Sequence, residues 1–425
     1  MMVLARKARK GIEQGVRDRD HSRILRAVSL LVVLMMIATR SFAGGLLVTW
    51  DPNSESDLAG YRIYYGVEQS VYTQMIDVGN VTSYTIGNLQ EGVTYFLVVT
   101  AYDLNGNESL PSAEISATVT AAEIYVALDD EGVQLRWTAL SGATLYRIYT
   151  SSNPYFVEQT AAAELAATTY TDVVNYKTAP FGRYYVVKAF AGETLLHTFD
   201  RVGVFSKGLR KGQNLISMPL VPMDNSLNAV LGTQLNGAGN AGQSDKVLYW
   251  NGTDYEIAWL VEGTNTAYDG KWMTQAGDQE SSLRLDPDRS FWVMLRSTSI
   301  DTVLTFTGKV SKDADREITL VQGPNFIGSC YPVSRTLVQS ELAADGVAVG
   351  GSSSGKSDKI MRWLGTRYEV AWLVGGTGTA YDGTWLNESG FGTTAIQFNP
   401  GSGYILWIKG NNASKSWTYP NPWSN

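Results

Sequence analysis

Two aspartates, Asp269 and Asp382, stand in the same phrase, Ala-Tyr-Asp-Gly, in two parts of the chain. Asp245 and Asp358 likewise recur in Ser-Asp-Lys, and Glu256 and Glu369 each follow a tyrosine. Paired carboxylates are the equipment of glycoside hydrolysis, which needs two of them about 5–10 Å apart in a cleft. Nothing in these spacings brings any two together. Aspartate before glycine is first a turn former, because the carboxylate caps the turn and glycine accepts positive φ. Asp245-Lys246 and its twin read as exposed strand starts with a local ion pair. Catalysis by these carboxylates is the minor reading.

Other chemistries lack their residues. Beyond residue 43 there is one histidine, His197, and one cysteine, Cys330, far apart in sequence. A serine or cysteine nucleophile needs a base beside it, and no Gly-x-Ser-x-Gly elbow surrounds any serine. A zinc site built from histidine and cysteine is not available. Cys330 lies in an apolar stretch and is expected as a small core residue. Gly351-Ser-Ser-Ser-Gly355-Lys356-Ser357 has three residues between its glycines where a phosphate loop has four, so it reads as a flexible loop. Asp103, Asn105, Asn107 and Glu108 alternate as calcium ligands do but lack the distal glutamate, which favours a turn. No cofactor and no metal is expected.

Aromatic residues are the better candidates for contact. Ten of the twelve tryptophans follow residue 209. Trp250, Tyr268 and Trp272, with their twins Trp363, Tyr381 and Trp385, fall near turns, where one ring face can meet solvent. Flat exposed rings stack on sugars, and Asp269 and Asp382 would bond the hydroxyls. The competing reading is packing, since each large ring buries 150–250 Å². Tyr255, Ile257 and Trp259, like Tyr368, Val370 and Trp372, share one strand face that reads as core.

These twins belong to a tandem duplication. Residues 242–272 and 355–385 align without a gap and are identical at 21 of 31 positions. One physical reading must therefore fit both copies. Each copy opens on a strand (Asn214 to Pro219, Asn325 to Cys330) and continues through a short helix candidate (Ser226 to Leu231, Thr336 to Leu342). A tight hairpin follows, Lys246–Trp250 with Tyr255–Leu260 or Lys359–Trp363 with Tyr368–Leu373. Each closes on Phe291–Leu295 with Val303–Phe306, or Tyr404–Ile408 with Trp417–Tyr419. Whether units 208–312 and 313–425 are two domains or two halves of one is open at this point. The Asn-Leu-Ile-Ser-x-Pro opening and Trp-x-Gly-x-x-Tyr hairpin resemble repeats appended to fibronectin type III arrays in large secreted bacterial proteins.

Upstream, residues 44–120 alternate with period two between turn signals, as an antiparallel sandwich does. Trp50, Gly60-Tyr-Arg-Ile-Tyr-Tyr65, Leu89, Tyr95 and Ala101-Tyr-Asp103 resemble a fibronectin type III domain. That resemblance implies a core role for Trp50 and a corner role for Tyr95, whose hydroxyl bonds back to the preceding loop. Residues 121–207 read as a divergent second copy, with Trp137 and Leu145-Tyr-Arg-Ile-Tyr149, but Arg183 stands where Tyr95 does. Thr160 to Thr169 reads as a helical turn or ragged loop, and Ser206 to Gln213 as a polar hinge. The fold class expected is all-β: immunoglobulin-like fibronectin type III sandwiches followed by two tandem, mainly antiparallel units with short helices.

Residues 1–43 carry a basic lead-in, an apolar run at Ala27 to Ala38 and Ser41-Phe42-Ala43. Twelve apolar residues are too few to span a bilayer, so the stretch reads as a secretory signal cleaved after Ala43. The remaining chain has 25 basic and 38 acidic residues, a net charge of −13. That disfavours nucleic acid, and no stable membrane insertion is expected after cleavage. The expected protein is a secreted or cell-surface, non-catalytic modular protein that binds a polysaccharide or a surface protein. A structural subunit of a surface layer or filament is the alternative, and a carbohydrate hydrolase a lesser one.

Overall fold

A computed structural model describes residues 40–42, 45–87, 89–119, 121–140, 142–296, 302–311, 315–410 and 414–423. The leader proposed for 1–43 lies outside these residues except for Arg40–Phe42, which pairs antiparallel with Gly45–Leu47. The chain forms two compact units, Met1–Ala122 with Thr138–Ser141, and Glu123–Trp137 with Gly142–Asn425. Both are built almost wholly of antiparallel strands.

The first unit stacks two sheets. One holds Arg40–Phe42, Gly45–Thr49 and Ser83–Ile86; the other runs Gln74–Gly79, Leu58–Gly66, Thr94–Asp103, Ile115–Thr118. Alternate residues of both, including Leu46, Val48, Ile63, Leu97 and Val99, fill the core. Trp50 is buried edge-on against Tyr61, with ring centroids 5.4 Å apart. The Tyr95 hydroxyl accepts the Gln90 backbone N–H at 3.1 Å, which locks the corner.

The second unit opens with a similar sandwich. Trp137 meets Tyr146 at the same 5.4 Å and 60°. The altered corner is solved differently: Arg183 Nε and the Tyr185 hydroxyl both donate to Asp172, at 2.8 and 2.9 Å. Within Thr160–Thr169, Ala163–Leu165 is a strand paired with Leu145–Ser151, in place of the helical turn or ragged loop expected there.

The expected hinge is absent. Ser206 to Leu209 lies inside a strand, Val202–Leu209, bonded on one side to Phe181–Ala191 and on the other to Thr302–Lys309. Eight registered pairs join it to the latter. Polar Ser206 is fully buried because its hydroxyl donates to the Tyr176 carbonyl at 2.6 Å. One strand thus serves both the second sandwich and the first repeat.

Each repeat then forms a five-stranded sheet of the same order. The first is Gly212–Ile216, Phe291–Leu295, Lys246–Trp250, Tyr255–Leu260, Trp272–Thr274; the second is Gly323–Ile327, Tyr404–Ile408, Lys359–Trp363, Tyr368–Leu373, Trp385–Asn387. The last strand of each unit leaves its neighbour. Thr302–Lys309 joins Val202–Leu209, and Lys415–Tyr419 joins Arg316–Leu320. Of the two helix candidates, only Leu227–Val230 forms, capped by Ser226. The 336–342 stretch makes turns, followed by a 3-10 helix at Ala344–Gly346, because Glu341 takes a positive φ of 54° that an α-helix excludes.

The two repeats pack on each other reciprocally. Ile216 bridges Ser402, and Arg289 bridges Ile327. Ser290 N donates to Phe326 O at 3.3 Å, and Gly403 N to Leu215 O at 3.0 Å. Corresponding residues exchange partners, as across a two-fold axis. Between the sheets Leu215, Trp292, Leu248 and Trp250 meet Phe326, Ile405, Met361 and Trp363. The face expected as core is divided: Tyr255 packs on Phe326 in the layer between repeats, while Trp259 and Trp372 are buried in small clusters with Met273 and Leu386. The main cores lie on the opposite face, with Ala258 and Leu260 in one and Ala371 and Leu373 in the other.

Candidate functional site

The eight residues singled out by pattern separate into three environments. Trp272 and Trp385 are core residues, not ring faces open to solvent. Trp272 pairs in register with inward-facing Leu260, is fully buried, and donates its Nε1–H to Gly232 O at 2.9 Å. Trp385 is 4% exposed and packs in the second core. The alternation of a strand put them inside, which proximity to a turn did not reveal.

Trp250 and Trp363 are half-buried between the repeats. Trp250 packs edge-on against Tyr255, with centroids 5.1 Å apart, and on Phe326 at 6.1 Å. Trp363 meets Trp292 at 5.8 Å and donates Nε1–H to Gln213 O at 2.8 Å. Their rings are committed to the two-fold layer.

Tyr268 and Tyr381 stand out, 53% and 59% exposed. Each rides a turn whose shape is dictated by the next residue. Asp269 accepts Thr264 N and Asn265 N at 3.0 Å each and the Thr264 hydroxyl at 2.5 Å. Asp382 repeats the set with Thr377 N at 3.1 Å, Gly378 N at 3.0 Å and the Thr377 hydroxyl at 2.5 Å. Asn265 and Gly378 occupy the same left-handed position, with φ of 56° and 71°. Those are residue types that tolerate it. The carboxylates therefore build the loops; their lone pairs already have partners within them.

These bonds hold both carboxyls below the usual carboxylate range, the threonine hydroxyl being the largest cause. A depressed folded-state pKa stabilises above the unfolded value, about 3.9, and the contribution fades as pH falls through the folded value. The Thr264 and Thr377 amide resonances should thus hold their positions from pH 7 to about 4.5. They should move only below that. Movement centred above about pH 5.5 would show that the aspartates do not hold the turns.

Asp245 and Asp358 are not exposed strand starts. Both are buried. Asp245 accepts Arg296 N at 2.6 Å, Asn236 N at 2.9 Å and Asn236 Nδ2 at 3.2 Å. Asp358 accepts Val349 N and Lys409 N, each at 2.7 Å. Each carboxylate ties backbone donors of two separate loops, partners that a buried charge requires. Glu369 pairs with Arg362, and Glu256 accepts from Asn251. Every recurring acid is thus committed to its own local partners.

The remaining motifs are similarly occupied. Asp103 accepts from Asn105 N, Asn107 N and Asn107 Nδ2, each at 2.9 Å, while Glu108 binds Arg62 and Tyr64 at 2.7 Å. Among the described residues no three His, Cys, Asp or Glu side chains gather as a metal site would require. Cys330 is fully buried, and that burial pushes its thiol well up. The 351–357 loop is a closed turn, with Lys356 N and the Ser357 hydroxyl both donating to Ser353 O.

Comparison with known proteins adds the following. Residues 36–118 match the Fibronectin type III domain family model. A Kelch domain-containing protein of Saccharolobus solfataricus is 36% identical over 102 residues, 22% of this chain and 14% of that protein. One of Sulfurisphaera tokodaii is 38% identical over 87 residues, 20% of this chain and 12% of that protein. The chain therefore spans about one-seventh of the length of these curated relatives. A two-domain fibronectin type III segment from chicken tenascin is 15% identical, covering 39% of this chain and 95% of that one, with a TM-score of 0.18. The FN1–FN3 domains of chicken CNTN1 are 12% identical, covering 40% and 66%, with a TM-score of 0.21.

Proposed function

We infer that this chain, which carries a fibronectin type III domain at residues 36–118, is an exported, non-catalytic binding protein of the cell surface or its surroundings. Its sandwiches act as spacers and its duplicated half as the contact region. The observation that carries this reading is the pair of exposed tyrosines, Tyr268 and Tyr381, on identical aspartate-locked turns. A rigid ring presented to solvent loses little entropy on binding, which is why tyrosine serves as an interface anchor. The partner is a polysaccharide or a surface protein; a net charge of −13 beyond residue 43 disfavours nucleic acid.

The ligand set proposed from sequence shrinks accordingly. Tyr268 and Tyr381 stay as contacts, Asp269 and Asp382 become their supports, and the four tryptophans leave the set. In affinity electrophoresis against soluble galactan, β-glucan and polygalacturonate, Tyr268→Ala with Tyr381→Ala should weaken retardation about tenfold or more, the loss typical of an aromatic anchor. Near-ultraviolet circular dichroism should be kept. Retardation equal to the parent's would remove the tyrosines from the function.

A further inference from the structure

The duplication supplies an internal control for each exposed side chain. Four exposed polar residues of the first repeat, Asn228, Asn236, Asn251 and Asp278, give way in the second to exposed Val338, Val349, Leu364 and Phe391. Matching bonds fix two of these equivalences. Val230 N donates to Ser226 O as Ser340 N does to Thr336 O, and Leu227 and Leu337 each enter a core, so Val338 stands where Asn228 does. Gly277 N donates to Thr274 O as Gly390 N does to Asn387 O, so Phe391 stands where Asp278 does.

Those two positions belong to one stretch of surface. In the first repeat Asn228 Nδ2 and Lys271 Nζ both donate to Glu280 Oε1, each at 3.2 Å, and Asp278 sits two residues before that glutamate. The surface there is a charged mesh. In the second repeat Thr384 replaces the lysine and Thr393 the glutamate, beside Val338 and Phe391. Phe391 is 96% exposed and Val338 83%. Folding gains nothing from either side chain, since apolar surface left in water forgoes about 25 cal/mol per Å². The Phe391 turn is nevertheless held closed, Asn387 N donating to Gly392 O at 2.9 Å. Exposed apolar side chains that stand together mark a surface meant to be covered.

The rim says what covers it. Glu388 lies in the Phe391 turn. Glu341, whose N–H donates to Val338 O at 3.1 Å, lies in the other. Both are exposed. Segments 336–344 and 381–398 contain no lysine or arginine. A second copy would set acid against acid, and an anionic surface would be repelled. A partner whose apolar side chain is flanked by basic ones is complementary in both respects.

We propose that Val338 and Phe391 form a docking patch for a protein that presents an apolar side chain between lysines or arginines. The patch goes beyond the contacts proposed above and uses neither Tyr268 nor Tyr381.

The test is a fluorescence anisotropy titration of the full chain with three labelled peptides of equal length, alternating leucine with lysine, leucine with glutamate, and serine with lysine. The leucine–lysine peptide should bind, and the other two about tenfold or more weakly. Val338→Asn with Phe391→Asp, which copies the first repeat, should weaken the leucine–lysine peptide about tenfold or more. The added carboxylate would by charge alone attract lysine, so a loss reads the apolar contact. Tyr268→Ala with Tyr381→Ala should bind this peptide as the parent does, so the patch and the tyrosines fail separately. Equal binding of the serine–lysine peptide, or an unchanged Val338→Asn, Phe391→Asp variant, would overturn the patch. A parent that sediments as a dimer which this variant dissolves would overturn it too, by assigning the surface to a second copy. Galactan retardation lost in the same variant would assign the surface to sugar instead.

Discussion

A chain begun at Gly208 is expected to lose the fold of its repeats. Composition suggests a linker at that point, but the strand Val202–Leu209 crosses it. The cut removes Val202 to Lys207 and with them six of the eight registered pairs to Thr302–Lys309. Leu304 and Phe306, both buried, lose the strand that shields them. Re-exposing two such side chains costs about 3–6 kcal/mol. A repeat pair of this size has about 5–15 kcal/mol in total. The same cut deletes Arg201, whose guanidinium lies 4.2 Å from the Phe156 ring and 4.9 Å from that of Trp423. It also bonds Pro154 O and Phe156 O, at 2.8 and 3.0 Å. Thermal melting followed by circular dichroism should show fragment 208–425 unfolded or melting at least 10 °C below fragment 123–425. Equal melting temperatures would show that the shared strand is dispensable.

The second large effect concerns Asp245. Replacing it by alanine removes the buried acceptor that Asn236 N and Arg296 N share. Hydrogen bonds to charged groups contribute about 1.5–3 kcal/mol each, so a loss of about 3–6 kcal/mol is expected. Asparagine should not rescue it, since one of its two ends would turn an NH2 toward a backbone N–H. Asp358→Asn should behave alike, because Val349 N and Lys409 N grip its two oxygens separately. Urea unfolding measures this directly. An asparagine variant as stable as the parent would mean that the clamp is not needed as a carboxylate.

Strand periodicity carries much of this architecture into the sequence. Trp50, Tyr95, Trp137 and both hairpins are legible because period two, turn residues and a ring of known size all agree. The errors share one cause. A strand face labelled by its own residues cannot say what covers it. Trp259 and Trp372 are buried as expected, but in small clusters with Met273 and Leu386, while Ala258 and Ala371 on the other face mark the main cores. Trp272 and Trp385 sit near turns yet point inward. The polar run at 206–209 reads as a hinge because serine and lysine are polar, although Ser206 is bonded inside the sheet. Asp245 looks exposed for the same reason. The turn logic of Tyr-Asp-Gly also transfers intact, because it is local: the aspartate and glycine shape one short loop, 264–270 or 377–383, from within.

Hydroxyl-radical footprinting of the full chain, free and then saturated with polysaccharide, tests most directly that two exposed tyrosines make the contact. In the free protein Tyr268 and Tyr381 should oxidise quickly, Trp272 and Trp385 hardly at all, and ligand should protect the two tyrosines together. Rapid oxidation of Trp272 or Trp385, or tyrosines that stay equally reactive with ligand bound, would contradict the account.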